Sequence, residues 1–73
     1  MRVEEAFVMN LNKYMKGRRM CDLEKETSLH RNIVSGWRRG DTRPTLVGLW
    51  KISRWLGVSM EDLLEGTDEP LDS

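Results

Sequence analysis

Between Val3 and Lys16 the apolar residues Phe7, Leu11, Tyr14 and Met15 recur at spacings of three and four, which is one helical face and predicts a first helix. A short charged segment from Cys21 to about Thr27 turns Leu23 inward and predicts a second. After Thr27, Ser28 and Leu29, the segment from Arg31 to Arg39 carries its apolar face on Val34 and Trp37 and predicts a third. Pro44 and Thr45 read as a helix opening with Thr45 as N-cap, and Leu46, Leu49, Ile52, Ser53 and Leu56 then form the inward face of a fourth. Ser59 followed three residues later by Asp62 is a capping-box-like start for a last helix that buries Leu63 and Leu64. Four of the six glycines, Gly17, Gly40, Gly57 and Gly66, fall just after these segments, where a left-handed C-cap favours glycine. No β-branched run alternates with period two, so no strand is predicted. The expected fold is all-α, five short helices around one core, with one domain over residues 1–66 and an acidic, disordered tail at 67–73.

A chain of 73 residues leaves room for one domain with a small core. Cys21 is the only cysteine and His30 the only histidine, so neither an intrachain disulfide nor a structural zinc site can form, and no cofactor or metal is expected. No apolar stretch approaches the roughly 20 residues needed to cross a bilayer. The N-terminal MRVEEAF carries acids where a signal peptide would be basic and then apolar, and the expected location is cytoplasmic. No phosphate-binding loop or metal cluster appears and so small a core could not line a pocket, so no enzyme activity and no catalytic residue are expected.

Net charge is zero, yet the charges are segregated along the chain. Lys13, Lys16, Arg18 and Arg19 form one basic cluster. Arg31, Arg38, Arg39 and Arg43 form a second, relieved only by Asp41. Glu61, Asp62, Glu65, Asp68, Glu69 and Asp72 make the chain beyond residue 58 purely acidic. If the two basic clusters meet in space, one side of the domain attracts DNA; otherwise they are ordinary solvated helix faces.

Stepping about 100° per residue around the third helix with Val34 and Trp37 inward points Asn32, Gly36 and Arg39 outward, with Ser35 beside them and Arg31 and Arg38 on one flank. Asn can pair bidentately with adenine, Arg with guanine and Ser with either, while a glycine lets the backbone approach the bases. Arg39 either reads a base or holds a phosphate. Lys16, Arg18, Arg19, Arg38 and Arg43 flank the helix or sit in loops and suit phosphates, where contacts independent of sequence fix register. On the fourth helix Val47, Trp50 and Trp55 make more apolar surface than a monomer of this size needs, which marks a partner; the alternative is that Trp50 is core and Trp55 lies flat under Arg54 or Lys51. Cys21, near a helix start, suits either a redox role or inert burial.

The run from Leu23 to Gly40, LEKETSLHRNIVSGWRRG, resembles the helix-turn-helix of the phage repressor and Cro family, also called the xenobiotic-response-element type. Leu23, Leu29, Val34 and Trp37 occupy that family's apolar positions. The segment DTRPTLVGLWKISRWLGVSMEDLL looks like the family's next two helices, with their Pro-Ser/Thr-Leu opening, Ile-x-x-x-Leu-Gly-Val exit and final Leu-Leu. The resemblance covers residues 20–66 and implies a compact five-helix, lambda-repressor-like domain with the helix-turn-helix at helices two and three. It implies that the first turn of helix three reads base edges, which adds Arg31 to Asn32 and Ser35. It implies a homodimer through helices four and five, whose two reading helices would meet successive major grooves about 34 Å apart. The acidic face Asp22, Glu24 and Glu26 matches the one that activators of the family turn to RNA polymerase. The chain also departs from the pattern: Met20 replaces a Gln that holds a phosphate, Glu24 a small residue, Ser28 the turn glycine and His30 the Ser N-cap.

The function expected from these features is sequence-specific double-stranded DNA binding by a transcriptional regulator, a repressor of phage or mobile-element type. The alternative is a protein-interaction module, antitoxin-like or anti-repressor-like, which keeps the fold and uses the tryptophan face; Met20 in place of Gln leans that way.

Overall fold

The computed structural model describes residues 1–69, and over them the chain forms α1 (Val3–Tyr14), α2 (Met20–Thr27), α3 (Arg31–Arg39), α4 (Leu46–Leu56) and α5 (Met60–Leu63). No strand occurs among the described residues. α1 packs on α3 and α5, and α4 packs on α2 and α5. One core results, built from Phe7, Leu11, Met15, Leu23, Val34, Trp37, Leu49, Ile52 and Leu63. Burial of each large apolar side chain contributes about 1.5–3 kcal/mol.

The centre of that core is Trp37, which fixes α3 to the rest of the body. Phe7 meets it edge to face with ring centroids 6.2 Å apart, the arrangement favoured by the ring quadrupoles. Gly48 opens α4 to the indole, since a Cβ built there would overlap the ring edge. Helix packing thus needs a large residue at 37 and none at 48.

Local chemistry at the helix ends follows the sequence closely. Thr45 Oγ1 accepts from Gly48 N–H at 3.1 Å, and Ser59 and Asp62 cap each other reciprocally at 2.9 and 3.1 Å. Gly40 and Gly57 end α3 and α4 in the left-handed conformation, φ +77° and +75°.

Three expectations need correction. Leu46, expected to point inward, is 75% exposed, because it opens α4 beyond the part covered by the body; the inward residues are Gly48, Leu49, Ile52 and Ser53. Tyr14 is only half-buried, with the Lys13 ammonium 5.4 Å over its ring. Asn10 is buried instead, donating from Nδ2 to the carbonyls of Leu63 (3.1 Å) and Glu65 (2.8 Å) and so satisfying the end of α5. Residues 67–69, assigned above to the frayed tail, bind the start of the chain: Thr67 Oγ1 and Asp68 N–H donate to the Met1 carbonyl at 2.9 and 3.2 Å, and Val3 N–H donates to Glu69 Oε2 at 2.7 Å. The rest of that tail, 70–73, lies outside the described residues.

Candidate nucleic-acid interface

The turn between α2 and α3 is built around Ser28 and His30, two of the residues at which the chain departs from the pattern it resembles. Ser28 takes the left-handed conformation, φ +58°, at a position where glycine is unstrained. His30 serves as the N-cap of α3, its Nδ1 accepting from Asn32 N–H at 3.1 Å. Leu29 packs from the turn against the core. The first turn of α3 carries no acid, so the positive end of the helix dipole and Arg31 make that end attractive to anions.

Burying Val34 and Trp37 leaves Arg31, Asn32 and Arg39 exposed along α3, with Ser35 half-buried between them. Arg31 stands 3.9 Å from Glu24 of α2, a loose contact that leaves its guanidinium largely in solvent. Arg39 is held more firmly: its Nε donates to Asp41 Oδ2 and its Nη1 to Ser35 Oγ, both at 2.8 Å. Gly36 is placed differently from the expectation that it clears a path for bases. The chain reverses after Gly40, Asp41 N–H returns to the Gly36 carbonyl at 3.1 Å, and a Cβ at 36 would lie 3.2 Å from Thr42 Oγ1. Gly36 is therefore buried under the α3–α4 loop and gives room to that loop.

The five cations assigned to phosphates fall into two groups. Lys16 and Arg38 are exposed and have no ion-pair partner among the described residues. Arg18 lies over the Trp55 ring, 5.0 Å from its centroid, and Arg19 pairs with Asp22 at 3.4 Å. Arg43 is folded onto two carboxylates, Nη2 to Glu69 Oε1 at 2.6 Å and Nε to Glu4 Oε1 at 3.3 Å. Glu4 Oε1 is buried and receives no aligned hydrogen bond, so Arg43 supplies it with charge. Backbone N–H at the helix start, and then Arg2 and Arg43, hold the Glu4 carboxyl below its ordinary range against the opposing effect of desolvation. The Val3 N–H and Arg43 do the same for Glu69, and the N-terminal ammonium, 3.0 Å away, does so for Asp68.

Of the three residues expected at a dimer contact, Val47 and Trp50 are open to solvent and Trp55 is not. Trp55 packs half-buried against the core with Arg18 as its lid, while Trp50 is 48% exposed with Arg54 stacked 5.0 Å above its ring. The apolar surface centres instead on a shallow depression lined by Leu46, Val47, Trp50 and Met60. Cys21 is exposed.

Periodicity along α3 did not single out Ile33 or Asp41. Ile33 is half exposed beside Asn32, an apolar side chain of the kind that meets a thymine methyl. Asp41 was visible only as a charge that relieved a basic cluster; its place across a helix-ending glycine, two residues after Arg39, was the available signal. No group of His, Cys, Asp or Glu among the described residues could hold a metal ion, and no described helix is long and apolar enough to cross a membrane.

A model of the Cro/C1-type HTH DNA-binding domain family matches residues 10–69, from within α1 to Glu69. Comparison with curated proteins and with solved structures finds no match.

Proposed function

The chain belongs to the Cro/C1-type HTH DNA-binding domain family, and we propose that it is a transcriptional repressor that reads an operator by laying α3 in the major groove as a homodimer. The observation that carries this reading is the open polar edge of α3, where Arg31, Asn32, Ser35 and Arg39 face solvent with no acid on the helix itself. Asn32 suits adenine, Arg31 and Arg39 suit guanine, and Ser35 keeps a hydroxyl proton to donate. Ile33 adds an apolar surface for a thymine methyl. Lys16 and Arg38 are the phosphate contacts, Arg18 and Arg19 keep terminal donors for phosphate beside Trp55 and Asp22, and Arg43 reaches phosphate only by leaving the Glu4–Glu69 pair.

A second copy would cover Leu46, Val47, Trp50 and Met60. Contact with RNA polymerase through α2 would rest on Glu26, because Asp22 and Glu24 already face Arg19 and Arg31. The same apolar depression supports the second reading, a protein-interaction module, with a foreign chain in place of the second copy.

Selection of bound duplexes from a random library at low salt, with the wild type and Asn32→Ala in parallel, separates these readings. A two-fold symmetric site with half-sites about ten base pairs apart, altered by Asn32→Ala, is the expected result. A folded protein that enriches no sequence would favour the interaction module.

A further inference from the structure

Arg39 and Asp41 are brought together by the turn that ends α3. Gly40 is left-handed, and the N–H groups of Gly40 and Asp41 return to the carbonyls of Trp37 and Gly36, each at 3.1 Å. The Asp41 carboxylate is thereby carried back alongside the last helical turn, where it accepts from Arg39 Nε at 2.8 Å. Ser35, one turn earlier, accepts from Arg39 Nη1 at 2.8 Å. The side chains of Arg39 and Asp41 are 62% and 60% exposed, so the pair contributes little to stability and its effect must be sought elsewhere.

That effect is on where the guanidinium points. A free arginine on an open helix face samples many rotamers and takes a phosphate as readily as a base. Here two contacts, to Asp41 and to Ser35, hold it. They use the Nε proton and one Nη1 proton, and leave three of the five, one on Nη1 and two on Nη2, for the O6 and N7 acceptors of guanine. The carboxylate also offsets the arginine charge, which lowers the attraction to phosphate without removing the directed donors that a base edge needs.

We propose that Asp41 is a positioning residue that, together with Ser35, commits Arg39 to guanine and keeps it from phosphate. This rests on the proposed reading of DNA by α3 and names one specificity-determining contact within it. Asp41 touches no base in this arrangement; it acts through Arg39.

The test is selection from a random duplex library, followed by affinity against salt concentration, for the wild type, Arg39→Ala, Asp41→Ala and Asp41→Asn. The wild type is expected to enrich guanine at a position of each half-site that Arg39→Ala loses. Asp41→Ala should cut that preference about tenfold, and the salt dependence should steepen by roughly one unit as the freed Arg39 takes a phosphate. Asp41→Asn keeps an acceptor for Nε and should retain part of the preference. The thermal midpoint should stay in place for both Asp41 variants, since the turn is closed by backbone groups; a purely structural role would move the midpoint and leave the base preference alone. If Arg39→Ala loses the guanine and Asp41→Ala keeps it, Arg39 reads unaided and the proposal is overturned while the reading by α3 stands. If the wild type enriches no sequence, both are overturned.

Discussion

Arg39 and Arg43 belong to one basic cluster in the sequence and to two different regions of the molecule. Arg39 stays on the outer edge of α3, held by Ser35 and Asp41 from its own helix and turn. Arg43 is folded onto Glu4 and Glu69, at opposite ends of the described chain, and closes a clasp with the N-terminal ammonium and Asp68. The first arrangement is local, exposed and directed outward; the second is long-range and partly buried. Charge density along a sequence therefore overstates how many cations a partner can meet, because the fold takes some of them for itself.

The largest effect comes from removing what both regions stand on. Trp37→Ala should cost about 3–5 kcal/mol, since it deletes the indole that joins α3 to Phe7 and to the backbone at Gly48; urea unfolding followed by circular dichroism measures it. If the loss is under about 1 kcal/mol, α3 is not anchored as described.

The two arginines should then part company. Arg43→Ala leaves the buried Glu4 Oε1 and the Glu69 carboxylate without a guanidinium, with Arg2 still on Glu4 Oε2, and should lower the urea midpoint clearly, whereas Arg39→Ala should stay within about 0.5 kcal/mol of the wild type. Equal effects would erase the distinction. The clasp also has a pH signature. Glu4, Asp68 and Glu69 all have carboxyls held below their ordinary values, so their contribution is present above those values and lost as pH falls through the lower folded ones. The urea midpoint should be flat from about pH 7 to about pH 5 and fall below about pH 4, with a shallower fall in Glu69→Gln.

Smaller still is the strain at the turn. Ser28→Gly should raise stability by about 1 kcal/mol, because Ser28 holds a left-handed backbone that glycine adopts freely. On DNA, Lys16→Ala and Arg38→Ala should each reduce the salt dependence by close to one unit, while Arg43→Ala leaves it unchanged. A unit lost at Arg43 would mean that the clasp opens on binding.

Much of this architecture was legible in the sequence, since it is written in short-range pattern. Phe7, Leu11, Leu23, Val34, Leu49, Ile52 and Leu63 repeat with the helical period, and Thr45, Ser59 and Asp62 cap within four residues of their own positions. The readable part of the site is also local, with Arg31, Asn32, Ser35 and Arg39 lying on one edge of a nine-residue helix. What escaped depends on partners far along the chain. Asn10 is polar and buried because it meets the carbonyls of Leu63 and Glu65, and residues 67–69 look like a tail until Met1, Val3 and Arg43 are placed beside them. Gly36 faces outward on a helical wheel, but the wheel does not contain the loop that returns over it through Thr42. Trp55 escaped for a related reason, since its lid, Arg18, comes from the loop before α2.

The most direct test is an NMR titration of labelled protein with the duplex enriched by selection, following every backbone amide. The account predicts the largest shifts over residues 31–39 and at Lys16, smaller ones at residues 46–60 as copies meet, and little change at residues 1–4 and 67–69. Shifts concentrated at residues 46–60 with α3 silent would contradict it and place the partner on the apolar depression.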